Sequence, residues 1–378
     1  MSRRGRPVIP SDGFIAAIII AAPSVIRFSE ALVSDLCRDD SRLDLLRHWL
    51  EEELGWHDVQ LAPASADASF RRYFRVAGGD HPTAIAMDAP PGKEDVEPYL
   101  KVAGMLAEIG VHAPRVLARN AGDGFLLLTD LGALTYLADL AADAGRADAL
   151  YGDAIRALVR MQMGGRKHVQ SLPPYDERLL RFEMSLFPDW LLGRHLALAL
   201  SPDESAALAT AFDTLVVNAL EQPQVFVHRD YHSRNLMVCP EANPGILDFQ
   251  DAVHGALTYD LVSLLRDCYV AWPQEQVVRW ALEFRRELLA EGLPAGGDEA
   301  QFLRWFDLMG IQRHLKASGI FARLWHRDGK PGYLPDVPRT LGYIVSACSR
   351  HAEFAALGAL VEQRVLPAMQ ASLGAGRA

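Results

Sequence analysis

Three short apolar segments, Val225 to Val227, Leu236 to Val238 and Ile246 to Leu247, lie so close together that the polar stretches between them are too short for helices. The chain must fold there as strands joined by loops. Those loops carry chemistry: His228-Arg-Asp230-Tyr-His232-Ser-Arg-Asn235 follows the first segment, and Asp248-Phe-Gln-Asp251 follows the third. Side chains at strand ends beside a small hairpin are held by a scaffold, which the same residues on a solvated helix face would lack. An Asp five residues before an Asn, with a second Asp 18 residues after the first, suits phosphoryl transfer. One carboxylate can take the proton of an attacking hydroxyl. The Asn oxygen and the other carboxylate can hold Mg²⁺ against nucleotide phosphates.

The surrounding chain divides into a strand-rich part and a helical part. An Asp/Ser cap leads into Leu43, Leu46, Leu50 and Leu54 at helical spacing, stopped by Gly55, so the folded domain is expected to begin near Ser41. Phe70 to Val76, Thr83 to Met87 and Phe125 to Leu128 read as strands, with a helix over Glu94 to Ile109 between the last two. After Gly132 helices dominate. Ser201-Pro202-Asp203-Glu204 supplies an N-cap, a first-turn proline and the glutamate of a capping box for a helix running to about Leu220, and further helices fill 258–290, 299–325 and 338–373.

With 38 basic against 48 acidic side chains the net charge is −10, which argues against wrapping nucleic acid. Cys37, Cys239, Cys268 and Cys348 are scattered, without metal-site spacing, as suits a reducing cytoplasm. At the N-terminus, Arg3, Arg4 and Arg6 precede the apolar run Phe14 to Ala22 and then Pro23, which has the form of a secretory signal and is too short to span a bilayer. Chemistry that needs cytoplasmic ATP favours instead a disordered leader, or residues ahead of a mis-assigned start, over 1–40.

His228-x-Asp230-x-His232-x-x-Asn235, the later Asp248 and Tyr259-Asp260-Leu261 resemble the catalytic core of the aminoglycoside phosphotransferase and choline kinase superfamily, relatives of the protein kinases. The resemblance implies a bilobal α+β protein-kinase-like fold, with a small β-rich nucleotide lobe over 41–132 and a larger, mainly helical catalytic and substrate lobe over 133–378. It implies ATP and Mg²⁺. Carried over by position, Asp230 is the catalytic base, His228 orients its loop, Asn235 and Asp248 are metal ligands, and Asp260 with His232 supports the loop. The phosphate-covering loop would lie near Ser65 to Arg71, bringing in Ser69 and Phe70, and Thr129 to Leu131 would be the hinge that meets adenine. Only 12 residues separate Asp248 from Asp260, too few for an activation segment, so a peptide acceptor is not expected.

The sequence departs from that pattern at one place. The third strand, Thr83-Ala-Ile-Ala-Met87-Asp88, has no lysine for the phosphates, and the first lysine of the chain is Lys93. Arg71, Arg72 and Arg75 are the candidate replacements, with Glu97 as the helix carboxylate that would pair with the cation. At finer grain, Ser69 to Arg75, Met87-Asp-Ala-Pro-Pro91 and Asp248 to Tyr269 resemble the bacterial anomeric sugar kinases of peptidoglycan recycling, which phosphorylate N-acetylmuramate and N-acetylglucosamine. That resemblance implies an amino-sugar partner. Arg313 and Lys316, one turn apart on a predicted helix, are then candidates for the carboxylate of a sugar acid, and Arg234 and Asp251 border the acceptor site. An antibiotic kinase and a non-catalytic nucleotide-binding protein are the alternatives.

Overall fold

A computed structural model of the chain describes residues 40–66 and 70–375. Residues 1–39 of the expected leader and Ser69 lie outside the described residues, and Asp40, the last of that expected leader, belongs to the fold. A compact unit extends over Asp39–Ala378. Helix α1, Ser41–His48, is capped by the Asp40 carboxylate, which accepts the Arg42 and Leu43 N–H groups at 3.2 Å, and a π-helical turn, Trp49–Glu53, extends it.

Five antiparallel strands follow: β1 Gln60–Ala66, β2 Arg72–Ala77, β3 Ala84–Asp88, β4 Val116–Asn120 and β5 Phe125–Thr129, in the spatial order β1-β2-β3-β5-β4. Alternation sorts their side chains onto two faces. Phe74, Val76, Ala84, Ala86 and Leu127 pack with Leu46, Trp49 and Leu50 of the α1 segment. Met87, Leu126 and Leu128 face the other way, into the core shared with helix α2, Glu97–Ile109, and the rest of the molecule. β1 and β4 were not anticipated. Both are edge strands: Pro63 and a bulge interrupt β1, and only every second residue of β4 is partly covered, which leaves little apolar pattern to read.

The second lobe contains α3 Tyr136–Ala142, α4 Ala147–Gly165, α5 Glu177–Leu186 and α6 Pro202–Glu221, then β6 Gln224–Val227, β7 Leu236–Met237, β8 Gly245–Ile246 and β9 Val253–Ala256. Both bonds of the expected capping box form, between Ser201 and Glu204. β7 pairs with β8, and β6 pairs with β9. The remaining helices are α7 Tyr259–Leu265, α8 Gln274–Ala290, α9 Glu299–Asp328, α10 Val337–Cys348, α11 Ala355–Leu360 and α12 Leu366–Ala375. Helix α9 runs through the middle of this lobe and is buried almost without interruption from Trp305 to Gly319. It approaches the end of α5 so closely that a Cβ on Gly319 would stand 2.3 Å from the Leu186 carbonyl carbon.

Candidate active site

The loop between β6 and β7 carries Asp230, and its shape is set from below by Asp260 at the start of α7. One Asp260 oxygen accepts the His228 N–H at 2.7 Å and the other the Arg229 N–H at 2.9 Å. Burial outweighs the pull of these two donors toward the charged form and leaves the Asp260 carboxyl pushed up to about 7. Held this way, Arg229 adopts a left-handed backbone with φ 79°, rare for a side-chain-bearing residue and costly without such support. The turn redirects the next residue. Asp230 donates its N–H to His228 Nδ1 at 3.2 Å, and its carbonyl accepts the His232 N–H and the Asn235 amide at 3.1 and 3.0 Å. His228 is fully buried, and burial pushes its pKa down to about 4, so the ring is neutral and accepts at Nδ1.

The β7–β8 ribbon brings the second carboxylate to the first. Leu236 pairs with Ile246, and the Leu247 N–H reaches the Asn235 carbonyl at 2.9 Å, so Asn235 and Asp248 leave the ribbon side by side. Asn235 Nδ2 lies 3.4 Å from Asp248 Oδ2, and Gln250 Nε2 donates to Asp248 Oδ1 at 2.8 Å. Asp248 also has a left-handed backbone, φ 62°. Because the Asn235 amide nitrogen is turned to Asp230 and Asp248, its oxygen is the atom left to act as a ligand. One amide oxygen and one carboxylate are hard donors of the type Mg²⁺ takes when phosphates and water complete its shell, so these residues fit that ion.

Below the loop lies a cluster of buried charges. Glu183 of α5 pairs with Arg229 and, at 3.0 Å, with Lys316, and it accepts the Tyr175 hydroxyl. Lys316 Nζ also donates to the Tyr259 hydroxyl at 2.9 Å. Burial raises the pKa of Glu183, but Lys316 and Arg229 outweigh it and hold the carboxyl below its usual range. Asp230 follows the same logic. Burial acts to raise it, and the charges of Lys316, His232, Arg229 and Arg313 together bring it below the ordinary value. Asp267, fully buried, anchors the far half of the loop by accepting the Ser233 N–H and hydroxyl, and it takes the Tyr269 N–H at 2.9 Å.

The model of the phosphotransferase enzyme family matches residues 60–303, from β1 through the catalytic loop and into α9. The chain belongs to this phosphotransferase family. It is 50% identical over 333 residues to the N-acetylmuramate/N-acetylglucosamine kinase of Pseudomonas aeruginosa, covering 85% of this chain and 97% of that protein. It is 42% identical over 322 residues to the protein of the same name in Neisseria meningitidis, covering 85% and 95%. Among solved structures, choline kinase LicA of Streptococcus pneumoniae superposes with a TM-score of 0.57 at 10% identity, over 81% of this chain and 100% of that one. The ADP-bound aminoglycoside phosphotransferase APH(2'')-Ib gives 0.52 at 14%, over 79% and 97%. At such identities the likeness is one of fold, and it bears out the bilobal kinase-like architecture.

In this phosphotransferase the three candidate arginines go to three different places. Arg72 shares the sheet face of Phe74 and Val76, and it pairs with Asp40 and with buried Asp88, which Arg42 also holds. That face is turned from α2, which corrects the expectation that Arg72 points at phosphates. Arg75 is on the α2 side but is fastened to the turn after β5: Nε meets Asp130 at 2.7 Å and the guanidinium also reaches the Gly132 carbonyl at 2.8 Å. Arg71, whose side chain is one-tenth exposed, lies 4.0 Å from Glu94. Glu97, the expected carboxylate partner, is exposed at the start of α2, and Glu94 stands in its place, also accepting the Phe70 N–H at 3.0 Å. Tyr99 of α2 sets its ring 4.7 Å from Phe249, next to Asp248, and the charges its phenol feels include Arg71 and Asp248.

The remaining expected residues fall around the cleft. Thr129 is paired in both directions with the Arg115 backbone, and the Leu131 carbonyl receives the Cys239 thiol at 3.6 Å. Phe70 is exposed, with Lys93 Nζ 4.9 Å from its ring centroid. Arg313 and Lys316 are buried on α9 beside Asp230, and Lys316 is taken up by Glu183 and Tyr259. Asp251 is exposed next to Gln250, and Arg234 lies over Tyr269. Glu94 and Glu183 had no local sequence signal, since Arg71 and Arg229 lie 23 and 46 residues away, whereas Asp267 fell inside the Asp248 to Tyr269 stretch without being singled out.

Proposed function

We propose that this phosphotransferase moves the γ-phosphoryl group of ATP, with Mg²⁺, to the anomeric hydroxyl of N-acetylmuramate or N-acetylglucosamine, in the cytoplasm. The observation that carries the reading is the 50% identity that extends over nearly the whole length of a kinase named for these two sugars. In this reading Asp230 accepts the proton of the anomeric hydroxyl as its oxygen bonds to the γ-phosphorus and the bond from that phosphorus to the bridging oxygen breaks, releasing ADP. An anomeric hydroxyl is more acidic than other sugar hydroxyls, which suits a base whose pKa is held low. Asn235 and Asp248 hold Mg²⁺, which when bound neutralises phosphate charge. Arg71, backed by Glu94, supplies the cation that the third strand lacks, and Leu131 presents its backbone to adenine. His228, Asp260 and His232 keep the loop in shape.

The antibiotic kinase is the weaker reading, because the aminoglycoside phosphotransferase resembles this chain at 14% identity and the amino-sugar kinase at 50%. Incubation of the full chain with ATP, Mg²⁺ and a substrate panel tests the proposal, read by phosphorus NMR. A sugar 1-phosphate supports it. Phosphorylated kanamycin, or nucleotide binding with no turnover of any acceptor, overturns it. Asp230→Asn keeps the backbone bonds of the loop, so turnover falls by about 10²–10⁴ while nucleotide affinity stays nearly constant.

A further inference from the structure

The catalytic loop carries a second cation, Arg234, whose surroundings differ from those of Arg229. It sits four residues after Asp230, is exposed, and among the described residues makes no ion pair. Its guanidinium carbon lies 3.6 Å from the centroid of the Tyr269 ring and 5.6 Å from that of Tyr333. Tyr269 is itself fixed from several sides. Asp267 accepts its N–H, His232 meets it edge-on with centroids 5.4 Å apart, and Phe321 lies at 6.4 Å, stacked in turn on Tyr333 at 5.5 Å. The carboxylates in reach are engaged elsewhere: Asp336 pairs with Arg339 at 2.9 Å, and Asp267 holds Ser233 and Tyr269.

A guanidinium laid flat on an aromatic face keeps its in-plane N–H groups available. Its orientation is set before any ligand arrives, so little further ordering is needed to bind a planar anion through two parallel hydrogen bonds. The two other cations near the base offer less. Lys316 has its donors on Glu183 and Tyr259, and Arg313 is buried, with one of its amines 3.7 Å from Cys268 Sγ. The two sugars of the proposed reaction differ in one respect that matters here: N-acetylmuramate bears a lactyl carboxylate and N-acetylglucosamine does not.

We propose that Arg234, held on Tyr269, receives the carboxylate of an acidic acceptor sugar and thereby sets the preference for N-acetylmuramate over N-acetylglucosamine. This inference rests on the amino-sugar reading above. It is tested with the full chain by measuring kcat/KM for both sugars at saturating Mg²⁺ and ATP. In Arg234→Gln the ratio for N-acetylmuramate over N-acetylglucosamine falls at least tenfold, through KM for the acidic sugar. Arg234→Lys keeps the charge but loses the planar fork, and its ratio lies between those of the wild type and the glutamine variant. Tyr269→Leu leaves the charge and removes the platform, and lowers the same ratio. Because each ratio is taken within one preparation, partial unfolding does not imitate the effect. A ratio unchanged within twofold in Arg234→Gln, or a parallel fall for both sugars, overturns the inference. A wild-type protein that phosphorylates neither sugar overturns the amino-sugar reading itself, before any variant is compared.

Discussion

Replacing Glu183 with glutamine isolates the ion cluster under the catalytic loop. The wild-type carboxylate is 3% exposed and neutralises Arg229 and Lys316 together. The amide keeps the shape and leaves two largely buried cations without their counter-ion, and one-sided removal from a buried pair costs about 3–5 kcal/mol. The compact unit is 340 residues, the 378 of the chain less the first 38. At about 2.1 cal/mol/K per residue its unfolding entropy is about 0.7 kcal/mol/K, so Tm falls by about 4–7 °C, measurable by scanning calorimetry at pH 7. Adding Lys316→Met removes one of the stranded cations, and the double variant is less destabilised than the sum of the single ones by at least about 1 kcal/mol. The pH dependence has a definite sign. The folded pKa of Glu183 is depressed, so its contribution is complete above the unfolded value of about 4.3 and is lost as pH falls through the lower folded value. The gap in Tm between wild type and Glu183→Gln therefore closes as the solution is acidified below about pH 4. A Glu183→Gln protein that melts within 1 °C of wild type at pH 7, or costs that simply add, would refute the reasoning.

Arg71→Met raises KM for ATP and lowers kcat in steady-state assays, whereas Arg72→Met, which strips buried Asp88 of one partner, lowers Tm and leaves KM for ATP within twofold. Gly319→Ala drives a methyl group into the Leu186 backbone, and because backbone cannot swing aside as a side chain does, the cost reaches about 3 kcal/mol and Tm drops by about 4 °C or more. Compared with a chain starting at Asp39, one starting at Ser41 loses the cap of α1 and the carboxylate bound by Arg72, and melts about 1–2 °C lower by calorimetry.

The reactive loop was legible because everything that defines it is local. His228, Asp230 and Asn235 lie within eight consecutive residues, and the apolar segments on either side announce the strands that hold them. The faces of β2 were marked in the sequence by Phe74 and Val76, yet Arg72, which shares their parity, was still expected at the phosphates. The role of Arg75 was not legible, because Asp130 is 55 residues away and nothing in either segment points to the other. Glu183 illustrates the same limit, since it meets Arg229 across 46 residues and on its own reads as one more acid on an amphipathic helix. Lys316 misled for a different reason. A helix with charged residues reads as partly solvated, but α9 is covered on nearly all sides, so its charges had to find partners inside.

The tie between Arg75 and the Asp130–Gly132 turn crosses the sheet. β3 lies between β2 and β5, so an arginine of β2 that reaches the turn after β5 spans all three strands and fixes where that turn stands. The turn is held from the other lobe as well: the Cys239 thiol reaches the Leu131 carbonyl at 3.6 Å, and the Val238 N–H meets the Leu134 carbonyl at 2.8 Å. A further tether runs from the Ile246 N–H to the His112 carbonyl at 2.8 Å. The passage from strands to helices is therefore a braced corner and not a single free joint.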